Sequence, residues 1–379
     1  MAYILDEDGK ALVADVKNFC DKEVKEQCKE YDVTGEWPKE IYDKAIELGY
    51  HMLEIPEEYG GLGLDKITVA AMYEEMANAD AGFATTFAAS QLAIKPVLIA
   101  GNEEQKQKCC DLIVNGGFGA FGLTEPNAGS DPGAGKTSAV KDGDEYILNG
   151  RKCFITNAPV ADFFIITALT DKTKGLKGMS AFVIYKGTPG LSTTNHENNM
   201  GIRTSITSDV VLEDVRIPAS QRLGEEGTGF ATAMKTLDIA RTVVACAAVG
   251  IAQRALDEGV AYTKTRTQFG RPVAKNQGLQ FKMADMAIEI EAARQLVAHS
   301  FTLMQMDLPY AKESAIAKCF AGDIAVKCAV EGIQLFGGYG YSREYPVEKL
   351  LRDAKIFQIF EGSNEIQRVV IANNILGRF

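Results

Sequence analysis

Apolar residues recur at helical spacing through the first third of the chain. Leu12, Val13, Val16 and Phe19 share one face, as do Ile41, Ala45, Ile46 and Leu48, and the pattern predicts mostly helix over residues 10–120. Helix is predicted again from Ile67 to Met76 and from Gln105 to Val114. The stretch Ile55-Pro-Glu-Glu-Tyr-Gly-Gly-Leu-Gly-Leu64 loses the period, and its proline and glycines predict a loop. Near residue 120 the texture changes to short β-rich runs: Tyr146-Ile-Leu148, Phe154-Ile-Thr156, Phe163-Phe-Ile-Ile-Thr167, Ala181-Phe-Val-Ile-Tyr185 and Asp209-Val-Val-Leu212. Turn residues at Lys141-Asp-Gly-Asp144 and Asn149-Gly150 separate them, which predicts an antiparallel β-domain of about 100 residues. From Phe230 onward amphipathic stretches cover roughly 230–264, 276–306, 311–335 and 364–376, punctuated by Pro309 and Gly337-Gly338-Tyr339-Gly340. Long helices with short links predict a bundle. The expected segments are 1–120 (helical), 121–229 (β) and 230–379 (helical bundle), an α+β chain. Strands and helices do not alternate, which excludes a doubly wound parallel sheet.

Composition narrows the function classes. The 379 residues are 46% hydrophobic and 24% charged, an ordinary globular mixture. Forty basic against 51 acidic residues give a net charge of -11, and with no basic stripe the chain is not expected to bind nucleic acid. Eight cysteines include no CxxC pair, and His51, His196 and His299 are scattered, so no metal site is expected. Reduced thiols suit a cytoplasmic protein. MAYILDEDGK has no basic region leading into an apolar one and reads as no signal peptide. No run is expected to reach the ~20 apolar residues that span a bilayer.

Two motif matches are decoys. Gly117-Phe-Gly119-Ala-Phe-Gly122 fits GxGxxG, but a helix ends before it and a loop follows it. A dinucleotide fingerprint needs a strand before and a helix after, so a turn entering a strand is expected instead. Gly135-Lys136-Thr137 imitates the end of a phosphate loop, but Ser130 stands where that loop needs glycine and Pro132 interrupts it.

Two other segments are rich in groups that make poor core and good sites. Phe121-Gly-Leu-Thr-Glu-Pro-Asn-Ala-Gly-Ser-Asp131 combines glycines with hydroxyls, and reads either as a surface turn or as a ligand cradle. In Asp353-Ala-Lys-Ile-Phe-Gln-Ile-Phe-Glu-Gly-Ser-Asn-Glu-Ile-Gln-Arg368, Glu361 follows Ile359-Phe360 and precedes Gly362. It is either a loop acid before a helix capped by Ser363, or a carboxylate whose apolar neighbours raise its pKa toward that of a general base.

Six ordered segments carry a resemblance: Ile55-Pro-Glu-Glu-Tyr-Gly-Gly61, Leu123-Thr-Glu-Pro-Asn-Ala-Gly-Ser-Asp131, Asn149-Gly-Arg-Lys-Cys-Phe-Ile-Thr-Asn157, Arg266-Thr-Gln-Phe-Gly270, Gln334-Leu-Phe-Gly-Gly338 and Phe360-Glu-Gly-Ser-Asn-Glu365. The chain resembles the acyl-CoA dehydrogenase family of flavoproteins, most closely its short-chain, butyryl-CoA dehydrogenase-like members, from about Phe19 to Leu376. The resemblance implies an N-terminal helical domain, a middle antiparallel β-domain and a C-terminal four-helix bundle, with FAD between the last two. It implies FAD contacts for Phe121, Leu123, Thr124, Gly129, Ser130, Phe154 and Thr156, with Phe154 standing where the family often has tryptophan. Arg266, Gln268, Phe269, Gln334 and Gly338 are implied to reach the FAD of a neighbouring subunit in a homotetramer. Ser363 and Glu365 are implied to touch the adenine-dinucleotide part of FAD.

Glu361 matches the family's catalytic base, which takes the pro-R α-proton of an acyl-CoA thioester while the β-hydride leaves for the flavin. The product is an α,β-enoyl-CoA, and the Glu361 N–H with the FAD ribityl 2′-hydroxyl is implied to polarise the thioester carbonyl. Ser130, Asp238, Arg241 and Gly362 match substrate-contacting positions. Some members carry their base at the position of Ala240, and alanine there leaves Glu361 without a competitor. The implied function is an acyl-CoA dehydrogenase, or the reverse enoyl-CoA reductase, exchanging electrons with an electron-transferring flavoprotein. An acyl-CoA oxidase and a non-catalytic flavin- or CoA-binding partner are the other readings. Butyryl is the acyl group that the resemblance implies, with the end of its pocket expected among residues Phe83–Leu92. Aryl-acrylyl, acrylyl and crotonobetainyl thioesters stay open, as does the direction of flux.

Overall fold

A computed structural model describes residues 3–377. The chain begins with six helices: α1 (Glu7–Phe19), α2 (Gln27–Thr34), α3 (Lys39–Glu47), α4 (Lys66–Ala79), α5 (Ala81–Ala100) and α6 (Glu103–Val114). Side-chain caps set several starts. Asp6 accepts from Gly9 N–H, Asp65 from Ile67 and Thr68, and Asn102 forms a reciprocal box with Gln105. Asp80 ends α4 and caps α5 through Phe83 N–H, so two helices meet with no loop between them.

Eight strands follow: β1 (Gly119–Gly122), β2 (Ser138–Asp142), β3 (Glu145–Thr156), β4 (Phe163–Leu169), β5 (Met179–Tyr185), β6 (Leu191–Thr193), β7 (Thr207–Pro218) and β8 (Arg222–Leu223). They form one sheet in the order β6-β7-β3-β2-β4-β5-β8, with β1 added alongside β4. The expectation of a purely antiparallel sheet needs correction. β1 runs parallel to β4, and β2 also meets β4 in parallel where Ser138 faces Leu169, because neither is joined to β4 by a hairpin. The GxGxxG match resolves here. A Cβ on Gly119 would lie 2.6 Å from the Phe163 ring, and one on Gly122 2.6 Å from Ile166 Cδ1. These glycines let β1 lie tight on β4 and bind no dinucleotide.

The bundle comprises α7 (Gly229–Thr265), α8 (Gln277–Gln305), α9 (Ala311–Phe336), α10 (Val347–Ile356) and α11 (Asn364–Leu376). A short hairpin, β9 (Thr267–Gln268) with β10 (Arg271–Pro272), links α7 to α8. Helix α10 was not anticipated. Alternate β4 residues serve two cores: Phe164 and Ile166 pack within the sheet's own core, and Phe163 and Ile165 pack against Ala93, Ile94 and Ile113 of α5 and α6. A third core joins the N-terminal helices to the bundle through Phe83, Tyr73, Val249 and Ala252.

Two helices do reach membrane-spanning length and hydropathy, against the expectation of none. These are α5 and α7, but 67% and 78% of their most apolar windows are buried inside the fold, which accounts for the composition without a bilayer.

Candidate active site

Glu361 stands on a strained turn between α10 and α11. Its φ is +54° and that of Gly362 is +86°. A side-chain-bearing residue in this region costs of order 1–3 kcal/mol and persists only where its surroundings enforce it. Three residues do so. Gln367 Nε2 donates to Glu361 O (3.1 Å) and Gly362 O (2.8 Å). Lys318 Nζ, reaching from α9, donates to Gly362 O (2.8 Å) and Asn364 Oδ1 (3.0 Å). Asn364 Nδ2 in turn donates to Cys319 O (3.0 Å) and Asp323 Oδ1 (2.8 Å). Among the described residues the Glu361 N–H itself has no acceptor.

The Glu361 carboxyl lies deep in the protein yet keeps part of its surface accessible, as a group at the floor of a cleft does. Burial pushes its pKa up to about 6, against the pull of the Lys318 ammonium and the Arg241 guanidinium. Such a group exchanges its proton near neutrality, as a general base must. Burial also pushes Lys318 down to about 8, partly offset by the Glu361 charge. Arg241, buried on α7, is paired with Asp238 and leaves its Nε without a partner. Burial raises the Asp238 pKa, and Arg241 opposes this. Ala240 is buried beside this pair and offers no second carboxylate. Lys318 escaped the sequence reading. Its one signal is a lysine set among small apolar residues in Ala315-Ile-Ala-Lys-Cys-Phe-Ala321.

The β-domain packs on the start of the same helix, α7. Phe121 and Leu123 pack with Ala233, Met234 and Leu237 in the first turns of α7. Leu123 leads directly into the Thr124–Ser130 loop. Lys152 Nζ anchors the loop through Glu125 Oε1 (2.7 Å) and Leu123 O (3.2 Å), and Cys153 N–H donates to Thr124 O (3.0 Å). Glu125 also accepts from the N–H groups of Lys136 (2.6 Å) and Thr137 (3.1 Å). These are the N–H groups that the phosphate-loop decoy would have needed.

Phe154 sits where the β3–β7 register shifts, with φ +58° and 67% of its surface exposed. Thr124 and Thr156 are half-buried, Ser130 is exposed, and a Cβ on Gly129 would meet nothing within 4 Å. An exposed ring beside open backbone and free hydroxyls fits a flat cofactor with a polar edge, as FAD is. Ser363 caps α11 by accepting from Ile366 N–H, two residues past Glu361, and Glu365 is exposed in the first turn.

The remaining expected cofactor residues lie elsewhere. Arg266 caps the far end of α7, roughly 37 Å of helical rise from Arg241. Its guanidinium lies 5.3 Å from the centre of the Tyr339 ring, near the exposed Gln334 and Gly338. Gln268 is exposed in the hairpin, and Phe269, at its turn with φ +51°, is 99% exposed. One chain therefore does not bring the Phe154 and Arg266 groups together. Phe83 and Phe87 pack into an aromatic core around Tyr42, which leaves Ala88, Ala89 and Leu92 as the half-exposed positions of the stretch expected to close the acyl pocket.

Comparison with known proteins agrees along the whole chain. Residues 6–117, 120–215 and 227–376 match the N-terminal, middle and C-terminal domains of acyl-CoA dehydrogenase. A short-chain-specific acyl-CoA dehydrogenase of Megasphaera elsdenii is 46% identical over 95% of each chain. The caffeyl-CoA reductase-Etf complex subunit CarC of Acetobacterium woodii is 42% identical over 98% of each. The solved butyryl-CoA dehydrogenase of Megasphaera elsdenii superimposes with a TM-score of 0.96 at 44% identity, covering 99% of this chain and 100% of that one. Matches of this extent through all three segments make the chain a member of the acyl-CoA dehydrogenase family, FAD-dependent oxidoreductases.

Proposed function

We propose that this protein is a short-chain acyl-CoA dehydrogenase that interconverts an acyl-CoA and its trans-2-enoyl-CoA, exchanging electrons with an electron-transferring flavoprotein. The observation that carries the reading is Glu361: a carboxyl raised to about 6 beside its own unpaired N–H, on a turn held in a strained conformation. The α-proton of a thioester becomes acidic only when negative charge on the carbonyl oxygen is stabilised. The Glu361 N–H supplies one donor for that oxygen, worth ~3–4 kcal/mol in such arrangements. The carboxylate of the same residue takes the proton. FAD, when bound, supplies the two-electron acceptor for the β-hydrogen. Phe154, Phe121 and Leu123 shelve the cofactor's ring, and Thr124, Gly129, Ser130 and Thr156 hold its polar edge. Arg241, with its spare Nε, Asp238 and Gly362 orient the thioester and the CoA arm.

The distance from Arg241 to Arg266 supports a homotetramer in which Arg266, Gln268, Phe269, Gln334 and Gly338 reach the FAD of another copy. Ser363 and Glu365 would contact the adenine-dinucleotide part. Exposed apolar side chains along the bundle, among them Phe281, Ile288, Val330, Val369 and Ile375, support burial against other copies. Eight buried free cysteines suit a cytoplasmic, reducing setting. Segments 1–120, 121–229 and 230–379 are taken as the domains, a division supported by the spans of the family matches.

The names of the relatives support both a short saturated acyl group and an arylacrylyl-type thioester reduced in the opposite direction. A panel of saturated and α,β-unsaturated CoA esters, assayed with and without an electron-transferring flavoprotein, separates these. Glu361→Gln is expected to retain FAD and to lose flavin bleaching by butyryl-CoA under anaerobic conditions. Normal bleaching by that variant overturns the assignment of the base.

A further inference from the structure

We propose that Lys318 is the positioning residue of the active-site turn: from α9 its ammonium pins the backbone of Gly362 and the side chain of Asn364, and brings a positive charge to the turn that carries Glu361. The inference rests on the reading of Glu361 as the base. Lys318 is 1% exposed, and a buried ammonium is costly unless its surroundings compensate it. Its hydrogen-bond partners are both neutral oxygens, Gly362 O and Asn364 Oδ1, and both belong to the turn. Among the described residues no carboxylate lies within ion-pair distance of it. The charge that acts on it most strongly is that of Glu361. A direct ion pair would quench Glu361 as a base. With its donors spent on Gly362 O and Asn364 Oδ1, the ammonium biases the proton equilibrium and leaves the carboxylate free to act.

The other charged groups around the turn are paired, neutral or exposed to solvent. On α7, Arg241 is bound to Asp238. On α9, Asp323 is bound to Arg368 of α11 (2.8 Å), and the Cys319 thiol is raised by burial. Tyr310, which precedes α9, is raised by burial and by Asp238, and Glu365 of α11 faces solvent. Lys318 is thus the buried cation of this group that no carboxylate pairs with among the described residues; Lys355 of α10, bound to Gln358 Oε1, is exposed. The strain at Glu361 gives the tether a second use, since without Lys318 only Gln367 holds the carbonyls of residues 361 and 362.

The test uses FAD-loaded holoenzyme. Lys318→Met removes charge and donors, Lys318→Gln keeps a donor without charge, and Lys318→Arg keeps the charge. Infrared titration of the protonated-carboxyl band that Glu361→Gln deletes reads the base directly, without turnover. The wild-type midpoint is expected near 6. It should rise by about one unit in the Met and Gln variants and stay in place in the Arg variant. The acid limb of anaerobic bleaching by butyryl-CoA should move with it, an about fivefold loss at pH 6 that Gln recovers at high pH and Met recovers only in part. Unmoved midpoints in Gln and Met, with FAD content retained, overturn the proposal. If Met fails to fold, Gln and Arg decide it alone. Normal bleaching by Glu361→Gln would instead remove the base assignment, while the infrared midpoints would still judge Lys318.

Discussion

Replacing Lys152 by methionine should loosen the loop that faces the cofactor. Lys152 is 1% exposed on β3, and its Nζ donates to Glu125 Oε1 (2.7 Å), Leu123 O (3.2 Å) and Thr167 Oγ1 (3.2 Å). Methionine matches its length but leaves Glu125 as a buried carboxylate held only by the N–H groups of Lys136 and Thr137. Removing one member of a buried ion pair costs about 3–5 kcal/mol, and the two surviving donors place this case near 3 kcal/mol. Adding Glu125→Gln removes the stranded charge, so the double variant should be more stable than Lys152→Met alone by about 1–2 kcal/mol. Urea unfolding of the holoenzyme, followed by circular dichroism and flavin fluorescence, gives the three values. Titration of apoprotein with FAD should show affinity falling about tenfold, equal to 1.4 kcal/mol. A loss below about 1 kcal/mol with unchanged FAD affinity, or additive effects in the double variant, would refute this account of the loop.

Glu54, fully buried between Lys66 (2.8 Å) and Lys95 (2.9 Å), has its pKa raised by burial but pulled down more strongly by the two ammonium groups, to about 2. A depressed carboxylate stabilises the fold above its unfolded pKa near 4.5 and loses that contribution as pH falls to about 2. The wild type should therefore lose about 3 kcal/mol across that window, and Glu54→Gln should not, as urea midpoints at several pH values will show. Gly119→Ala should destabilise by about 1–3 kcal/mol, because its Cβ would press on Phe163 and Ala93, and unchanged thermal stability would contradict the tight β1–β4 contact. Arg266→Ala should lower FAD content and leave the circular dichroism spectrum unchanged, and full FAD occupancy would count against the cross-subunit site. Phe154→Ala removes an exposed ring and should weaken FAD binding with less than about 0.5 kcal/mol change in the stability of the apoprotein.

Elements with one apolar face were legible along the chain. The expected helices 230–264, 276–306, 311–335 and 364–376 correspond to Gly229–Thr265, Gln277–Gln305, Ala311–Phe336 and Asn364–Leu376. Helix α5 lies within the stretch expected to be mostly helical, but its bounds were not legible, because it is buried on most sides and carries no clear apolar period. Helix α10 and the short strands β6 and β8 lacked the length to stand out, and β1 was disguised by glycines that serve close packing. The proposed base, Glu361, stands in a contiguous motif that the sequence displays directly. Lys318 was not legible, because its partner Gly362 lies 44 residues on.

The linear order of residues settled the α–β–α architecture and the contiguous motifs, and it singled out the acid proposed as the base. Folding settled how that acid behaves. A pKa depends on burial and on the distance to other charges, and both arise when α7, α9 and the 361 turn come together. The same holds for the residues expected to hold FAD, whose spacing in the chain says nothing of their separation in the fold. The length of α7 divides them between two ends of the molecule.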